Sequence, residues 1–294
     1  MPARAAPPLN YTEIGEEVLG RIAESHPELD GLARRQLARL SPERWTIEWH
    51  LPWWLGHRFG LDQRLSEALV RSNVVGMLSV RLEDDLEDGD VPAEEMPRVR
   101  LLARVALEEA VSEYRAWFAE DSRVWSYLDR SMADRRAGAA GSDLATRGAP
   151  VKIAGYACCL VADRLDVWPE LERSLDQAVT GLVLYDQFVD WEADLAAGRW
   201  NAFVAATHER TRAAVLTAML TSDVVREHFD AIRKEVDEAA KLAFAIGVTE
   251  LSAFLTTWAA QVSAQGASVD AHYRAAADQA MRLFFGTRMG GAAA

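Results

Sequence analysis

Apolar residues recur at helical spacing along almost the whole chain. In the stretch YTEIGEEVLGRIAESH, Ile14, Val18, Leu19 and Ile22 fall on one face, and GLARRQLARL sets Leu32, Leu37 and Leu40 among arginines. Ser41-Pro42 reads as a helix start, with serine at the cap and proline at the first position. Pro52 is expected to end or kink the helix that follows. The pattern predicts a long helix over about 65–88, stopped by Gly89 and Pro92, and another over about 98–120. RRAGAAGS at 135–142 reads as the clearest loop, with a weaker break at Gly148-Ala149-Pro150. VKIAGYACCLVADRL is apolar almost all round and predicts a central buried helix. A long helix is expected over about 170–195, ended or kinked by Gly198, then helices over about 202–220, 224–244, 250–265 and 270–285. Residues 1–10 read as a flexible arm and 286–294 as a flexible tail, leaving an all-helical domain over 11–285. Strand-like alternation is missing, except in VRLEDDLEDGDV, whose acidic residues are too dense for an ordinary strand.

Composition narrows the function classes. The chain has 294 residues and shows no shift that would divide it into two domains. Its formal net charge of −13 opposes binding to nucleic acid or to an anionic membrane surface. The same charge permits a phosphorylated substrate if a divalent metal inverts the local sign. The two cysteines, Cys158 and Cys159, are adjacent and project about 100° apart on a helix, so no disulfide framework is expected. That suits a reducing, cytoplasmic setting. No apolar run reaches the roughly 18 residues of a membrane-spanning helix.

Two acidic constellations stand out. The first, Asp84-Asp85-Leu86-Glu87-Asp88, places Asp84 and Asp88 one helical turn apart, with Asp85 about 100° round from Asp84. Glu83 and Glu87 add to the repulsion, and the helix dipole disfavours acids at a C-terminus. The second, Leu184 to Asp194, spaces Asp186, Asp190 and Asp194 four apart among apolar neighbours. Either alone could be a solvated face. Two such stripes at the ends of apolar helices point to a cation held between them, and hard oxygen ligands suit magnesium when phosphates complete its shell. Arg147, Lys152 and Arg199 are the basic residues expected to assist a diphosphate; Lys152 could equally snorkel to solvent.

Of ten tryptophans, Trp45, Trp49, Trp53 and Trp54 fall in RWTIEWHLPWWLGHRF. They read either as core or as the wall of a pocket that shields a carbocation with aromatic faces.

DDLED at 84–88, together with DQFVDWEADLAAGR, resembles the class I isoprenoid synthase superfamily of prenyltransferases, terpene cyclases and squalene and phytoene synthases. The resemblance implies an all-α, single-domain helical bundle around a central cavity, with two acid-rich helices holding three magnesium ions and the substrate diphosphate. It matches Asp84, Asp85 and Asp88 to the first DDxxD motif and Asp186, Gln187 and Asp190 to the second, in which glutamine replaces the middle aspartate. Asp194 with Gly198-Arg199 is more similar to the DxxxDxxxGR pattern of squalene and phytoene synthases, and RGAPVKIAGYA to the region that places a diphosphate-binding lysine, here Lys152. The GGKR-like segment and the arginine pair of chain-elongating members are missing, as is the NSE triad of many microbial cyclases.

The sequence therefore predicts a magnesium-dependent class I terpene synthase. It would ionise a C10–C20 isoprenyl diphosphate at the six aspartates, with Arg147, Lys152, Gln187, Arg199, Trp45, Trp49 and Trp53 around the substrate. A prenyltransferase with another isoprenoid or an unusual acceptor is one alternative, and a non-catalytic helical protein of the same architecture is another. A homodimer is compatible with either. Glu-x-x-His pairs, the mark of a carboxylate-bridged metal bundle, are missing.

Overall fold

Asp62 starts the helix on which the first acidic motif rides, its carboxylate accepting from the Arg64 and Leu65 amides. The helix runs over Gln63–Glu87 and stops where Gly89 turns left-handed (φ 78°), letting the Asp90 amide reach back to the Asp85 carbonyl. In a computed structural model the chain is described over residues 9–43, 45–138 and 143–289, with 282–289 as backbone only. The described residues contain helices and no strands. The expected arm, the RRAGAAGS loop and the tail lie partly or wholly outside them.

The helices are α1 (Tyr11–Ser25), α2 (Asp30–Arg39), α3 (Thr46–Phe59), α4 (Gln63–Glu87), α5 (Met96–Trp117), α6 (Arg123–Gly138) and α7 (Leu144–Arg147). There follow α8 (Lys152–Val161), α9 (Trp168–Val189), α10 (Trp191–Ala197), α11 (Ala202–Thr207), α12 (Arg212–Thr221), α13 (Val224–Ala245) and α14 (Thr249–Met289). One hydrophobic core joins them, from Leu9 to Val262. α4 packs against α3, α5 and α8, and α9 packs against α8 and α13; α13 pairs with α14, which touches α3. α4 and α9, the carriers of the acidic motifs, are not packed along one another. No helix is long and apolar enough to cross a membrane among the described residues.

Five elements depart from the periodicity. α6 occupies residues where no helix was expected, and it carries Arg135 and Arg136 out of the expected loop. α3 passes straight through Pro52. Proline cannot donate to the carbonyl one turn earlier, that of Glu48, and the buried amide of Asn73 on α4 supplies the missing donor at 2.6 Å. The helix expected over 170–195 breaks at Asp190, which ends α9 and begins α10. The helix expected over 202–220 is divided at His208, which is left-handed, and restarts at Thr211, whose side chain accepts from the Ala214 amide. The last two expected helices are one, α14, running into the segment expected to be tail. Gly266 keeps it close to α13, since a Cβ there would stand 2.6 Å from the Cβ of Phe229.

Candidate functional site

The acidic tip of α4 stays folded against its own repulsion because arginines from four places converge on it. Asp85 is 3% exposed and is held by Arg39 from α2 at 2.6 Å and by Arg81, one turn earlier on α4, at 2.9 Å. Asp84 pairs with Arg135 from α6, which also reaches Glu83 at 2.8 Å and the Val80 carbonyl. Asp88 meets Arg199 at 3.2 Å. Burial pushes the Asp84 carboxyl above its ordinary value, and Arg135 only partly restores its acidity. Burial likewise works against the Arg135 charge, but Asp84, Glu83 and Glu87 outweigh it and the guanidinium is held more firmly protonated than usual.

The second motif meets the first through one side chain. Arg199 donates Nε to Asp194 at 2.9 Å while its Nη1 reaches Asp88, so one guanidinium spans α10 and α4. Left-handed Gly198 turns the chain there, and the Arg199 amide bonds back to the Asp194 carbonyl at 2.9 Å. The other oxygen of Asp194 accepts from Asn201 Nδ2 at 2.8 Å, and the same Nδ2 bonds to the Gln187 carbonyl at 2.7 Å. Gln187 is buried. Its side-chain oxygen accepts from the Ala202 amide, and its Nε2 is buried without a hydrogen-bond partner. Asp186 and Asp190 are exposed at the end of α9, in the company of exposed Val189.

The remaining candidates divide. The guanidinium of Arg147, from α7, lies over the Trp200 ring at 5.9 Å, which brings it to the end of the bundle that holds Arg199. Lys152 goes elsewhere. Its Nζ lies 2.6 Å from Asp176 and 3.9 Å from Glu172, on the first half of α9. Asp176 is ten residues, or roughly 15 Å of helix, before Asp186. Glu172 accepts from Tyr127, whose ring stacks on Tyr156, so Lys152 belongs to a separate ion-pair group beneath α6 and α8. Burial lifts the Asp176 carboxyl above its usual range, and Lys152 partly offsets it.

The tryptophans of α3 pack into the hydrophobic core cluster, a burial that both expected roles share. Trp49, Trp53 and Trp54 are buried and Trp45 is half-buried. Trp45 and Trp49 donate to the Arg39 and Leu40 carbonyls, and Trp54 stacks on His50 and tilts against Phe254 of α14. Glu48 contacts Asn73 of α4, so Trp49 stands beside the middle of that helix, roughly 16 Å along it from Asp84.

Sequence reading missed Arg39, Arg81, Arg135 and Asn201. Only Arg81 had a local signal, its i,i+4 spacing to Asp85. Arg39 and Arg135 meet the motif from elements distant in sequence, while Asn201 reaches Asp194 and Gln187 only seven and fourteen residues back, across the turn at Gly198. Among the described residues no three His, Cys, Asp or Glu side chains stand together closely enough to hold a metal. A groove of about 680 Å³ opens at the opposite end of α4, between Glu17, Arg21, Arg64, Arg71 and Trp117. Within it Arg71 pairs with Glu17, and Arg21 pairs with Glu113 behind it. No family model matches this chain, and neither a curated protein nor a solved structure is detectably similar to it.

Proposed function

We propose that the acidic end of the bundle is a magnesium-dependent diphosphate site, and that the protein is a class I terpene synthase. It ionises a C10–C20 isoprenyl diphosphate, releases diphosphate, and guides the cation to a hydrocarbon or alcohol. The observation that carries this reading is the Arg199 bridge. Two acidic segments about a hundred residues apart share one counter-charge, so they face a common space rather than separate solvent.

The donors are carboxylate oxygens, the ligand type that magnesium takes, although among the described residues no three of them stand together as a ready ligand group; Arg199 sits between two of them. Asp84, Asp88, Asp186, Asp190 and Asp194 would hold the metal. Asp85 is buried against Arg39 and Arg81, with its Oδ1 left without a hydrogen-bond partner, and fixes the tip of α4. When bound, magnesium neutralises the diphosphate and makes it a better leaving group. Arg199 and Arg147 would take diphosphate oxygens, since guanidinium–phosphate hydrogen bonds are among the strong ones. Lys152 has no part in this.

A second reading has its own support. Arginines neutralise the carboxylates without any metal, and no ligand group is assembled in advance. That is how a non-catalytic helical protein would also manage two acidic helix ends. Incubation with C10, C15 and C20 diphosphates and magnesium separates the two. The enzyme reading expects an organic product and released diphosphate from one substrate alone. A folded protein that releases diphosphate from none of them overturns it. A product formed only when a second isoprenoid or acceptor is present would make the protein a prenyltransferase.

A further inference from the structure

The groove at the other end of α4 is a valley between two helices. Glu17, Gly20, Arg21 and Glu24 line it from one face of α1, and Arg64, Glu67 and Arg71 line it from one face of α4. Each wall is two turns, or roughly 10 Å, long. Trp117, the last residue of α5, completes the lining. The walls are pinned to one another. Arg71 joins Glu17 at 2.8 Å and the buried Glu113 of α5 at 3.4 Å, and Arg21 also pairs with Glu113.

Once those pairs are made, a distinct set of groups is left over. Among the described residues neither the Arg64 guanidinium nor the Glu24 carboxylate has an ion pair or a hydrogen bond. Glu67 receives only the neutral Gln63 amide, at 2.8 Å. Trp117 is 44% exposed, and its ring and indole N–H have no partner among the described residues. Gly20 stands inside α1, where glycine is a poor helix former, and packing does not require it: a Cβ there would meet no atom within 4 Å.

An aromatic face, an uncommitted cation and uncommitted carboxylates around one groove of about 680 Å³ are the complement of a zwitterion. An anion alone would face Glu24 and Glu67, and a cation alone would face Arg64. We propose that this groove binds a zwitterionic aromatic amino acid. The ligand's carboxylate takes Arg64, its ammonium takes Glu24 and Glu67, and its ring lies against Trp117 over the open floor at Gly20. Arg64 and Asp84 are twenty residues, or roughly 30 Å of helix, apart, so this site does not depend on the function proposed for the acidic end.

The test is a titration of the full-length protein, ¹⁵N-labelled at its indoles, with phenylalanine, read by nuclear magnetic resonance. Loss of one resonance in Trp117→Phe assigns the Trp117 indole, and that signal is expected to shift and saturate. Phenylalanine amide lacks the carboxylate and N-acetylphenylalanine lacks the ammonium; each is expected to bind about twofold to fivefold more weakly, the worth of an exposed ion pair. Calorimetry on variants with wild-type melting then assigns the charges. Arg64→Gln should weaken phenylalanine by that factor and leave the amide unchanged. Glu24→Gln combined with Glu67→Gln should weaken phenylalanine and leave the N-acetyl form unchanged. Trp117→Ala should weaken all three ligands about fivefold or more, the loss of an aromatic contact and its buried area. A Trp117 signal that does not shift, or shifts without saturating, overturns the proposal. So does equal binding of phenylalanine and its two blocked forms, or binding indifferent to Trp117→Ala.

Discussion

The tip of α4 and the first turn of α3 treat charge in opposite ways. At the tip, Asp84, Asp85 and Asp88 are each met by an arginine, and three of those arginines come from other elements. In the first turn of α3, Glu48 is buried, and the hydrogen bond to its carboxyl comes from its own backbone. Burial pushes that carboxyl up to about 7. The difference separates two kinds of region. The acids of α4 are met by arginines drawn in from other elements, whereas the one acid of α3 has no basic partner and is tolerated because its burial favours the protonated form.

If that contrast is right, the largest loss of stability belongs to α3. Trp49→Ala should cost about 3–5 kcal/mol in urea unfolding, the usual range for deleting a large buried side chain. A cost below about 1 kcal/mol would mean that Trp49 is not core.

Glu48→Gln comes next, and its effect should depend on pH. The folded carboxyl binds its proton more tightly than the unfolded one, so its penalty is missing at low pH, grows as pH rises from about 4.5 to about 7, and is constant above. At pH 8 the glutamine variant should be more stable than the wild type by up to about 3 kcal/mol, an order-of-magnitude figure from a shift of this size. The gap should vanish near pH 4. A gap that does not change with pH would mean that Glu48 is charged in the fold.

The α3–α4 contact itself can be tested through Pro52. Asn73→Leu should cost about 1–3 kcal/mol, because it strands the Glu48 carbonyl that proline cannot serve. In a Pro52→Ala background the alanine amide can take that carbonyl, and the cost should shrink by about half or more; a double-mutant cycle reads the coupling. Strict additivity would separate Asn73 from the proline.

The smallest effects should lie at the acidic end, and should differ between its two halves. Asp85→Asn should lose about 1–2 kcal/mol, since it leaves two arginines that are partly exposed and can rehydrate. Asp190→Ala, at an exposed helix break, should stay within about 0.5 kcal/mol in metal-free melting. Under the proposed function it should nonetheless abolish most diphosphate release. Large destabilisation by Asp190→Ala with release retained would mark the second motif as structural.

Much of this was legible in the sequence because helix periodicity and stop signals act locally. α4 begins and ends close to where its pattern says, with Gly89 at the C-terminus, and VKIAGYACCLVADRL does form a buried helix. The two acidic segments touch through Arg199, which links Asp88 to Asp194. What remained hidden was non-local. Pro52 stays helical because Asn73, twenty-one residues on, repairs its missing hydrogen bond, and no local pattern carries that information. α14 is continuous because Gly266 lets it lie against Phe229, where a bulkier residue would force it away.

The sequence by itself determined an all-α bundle and the helices that carry the acids, because both follow from spacing and side-chain type. Only the tertiary structure decided which charge meets which. It took Lys152 to Asp176, buried Asp85 between Arg39 and Arg81, brought Arg135 from an expected loop to Asp84, and set Arg199 between α4 and α10. The reason is physical: an ion pair forms where folding leaves two groups within a few ångströms, and that distance depends on helix packing rather than on either residue's neighbours in the chain.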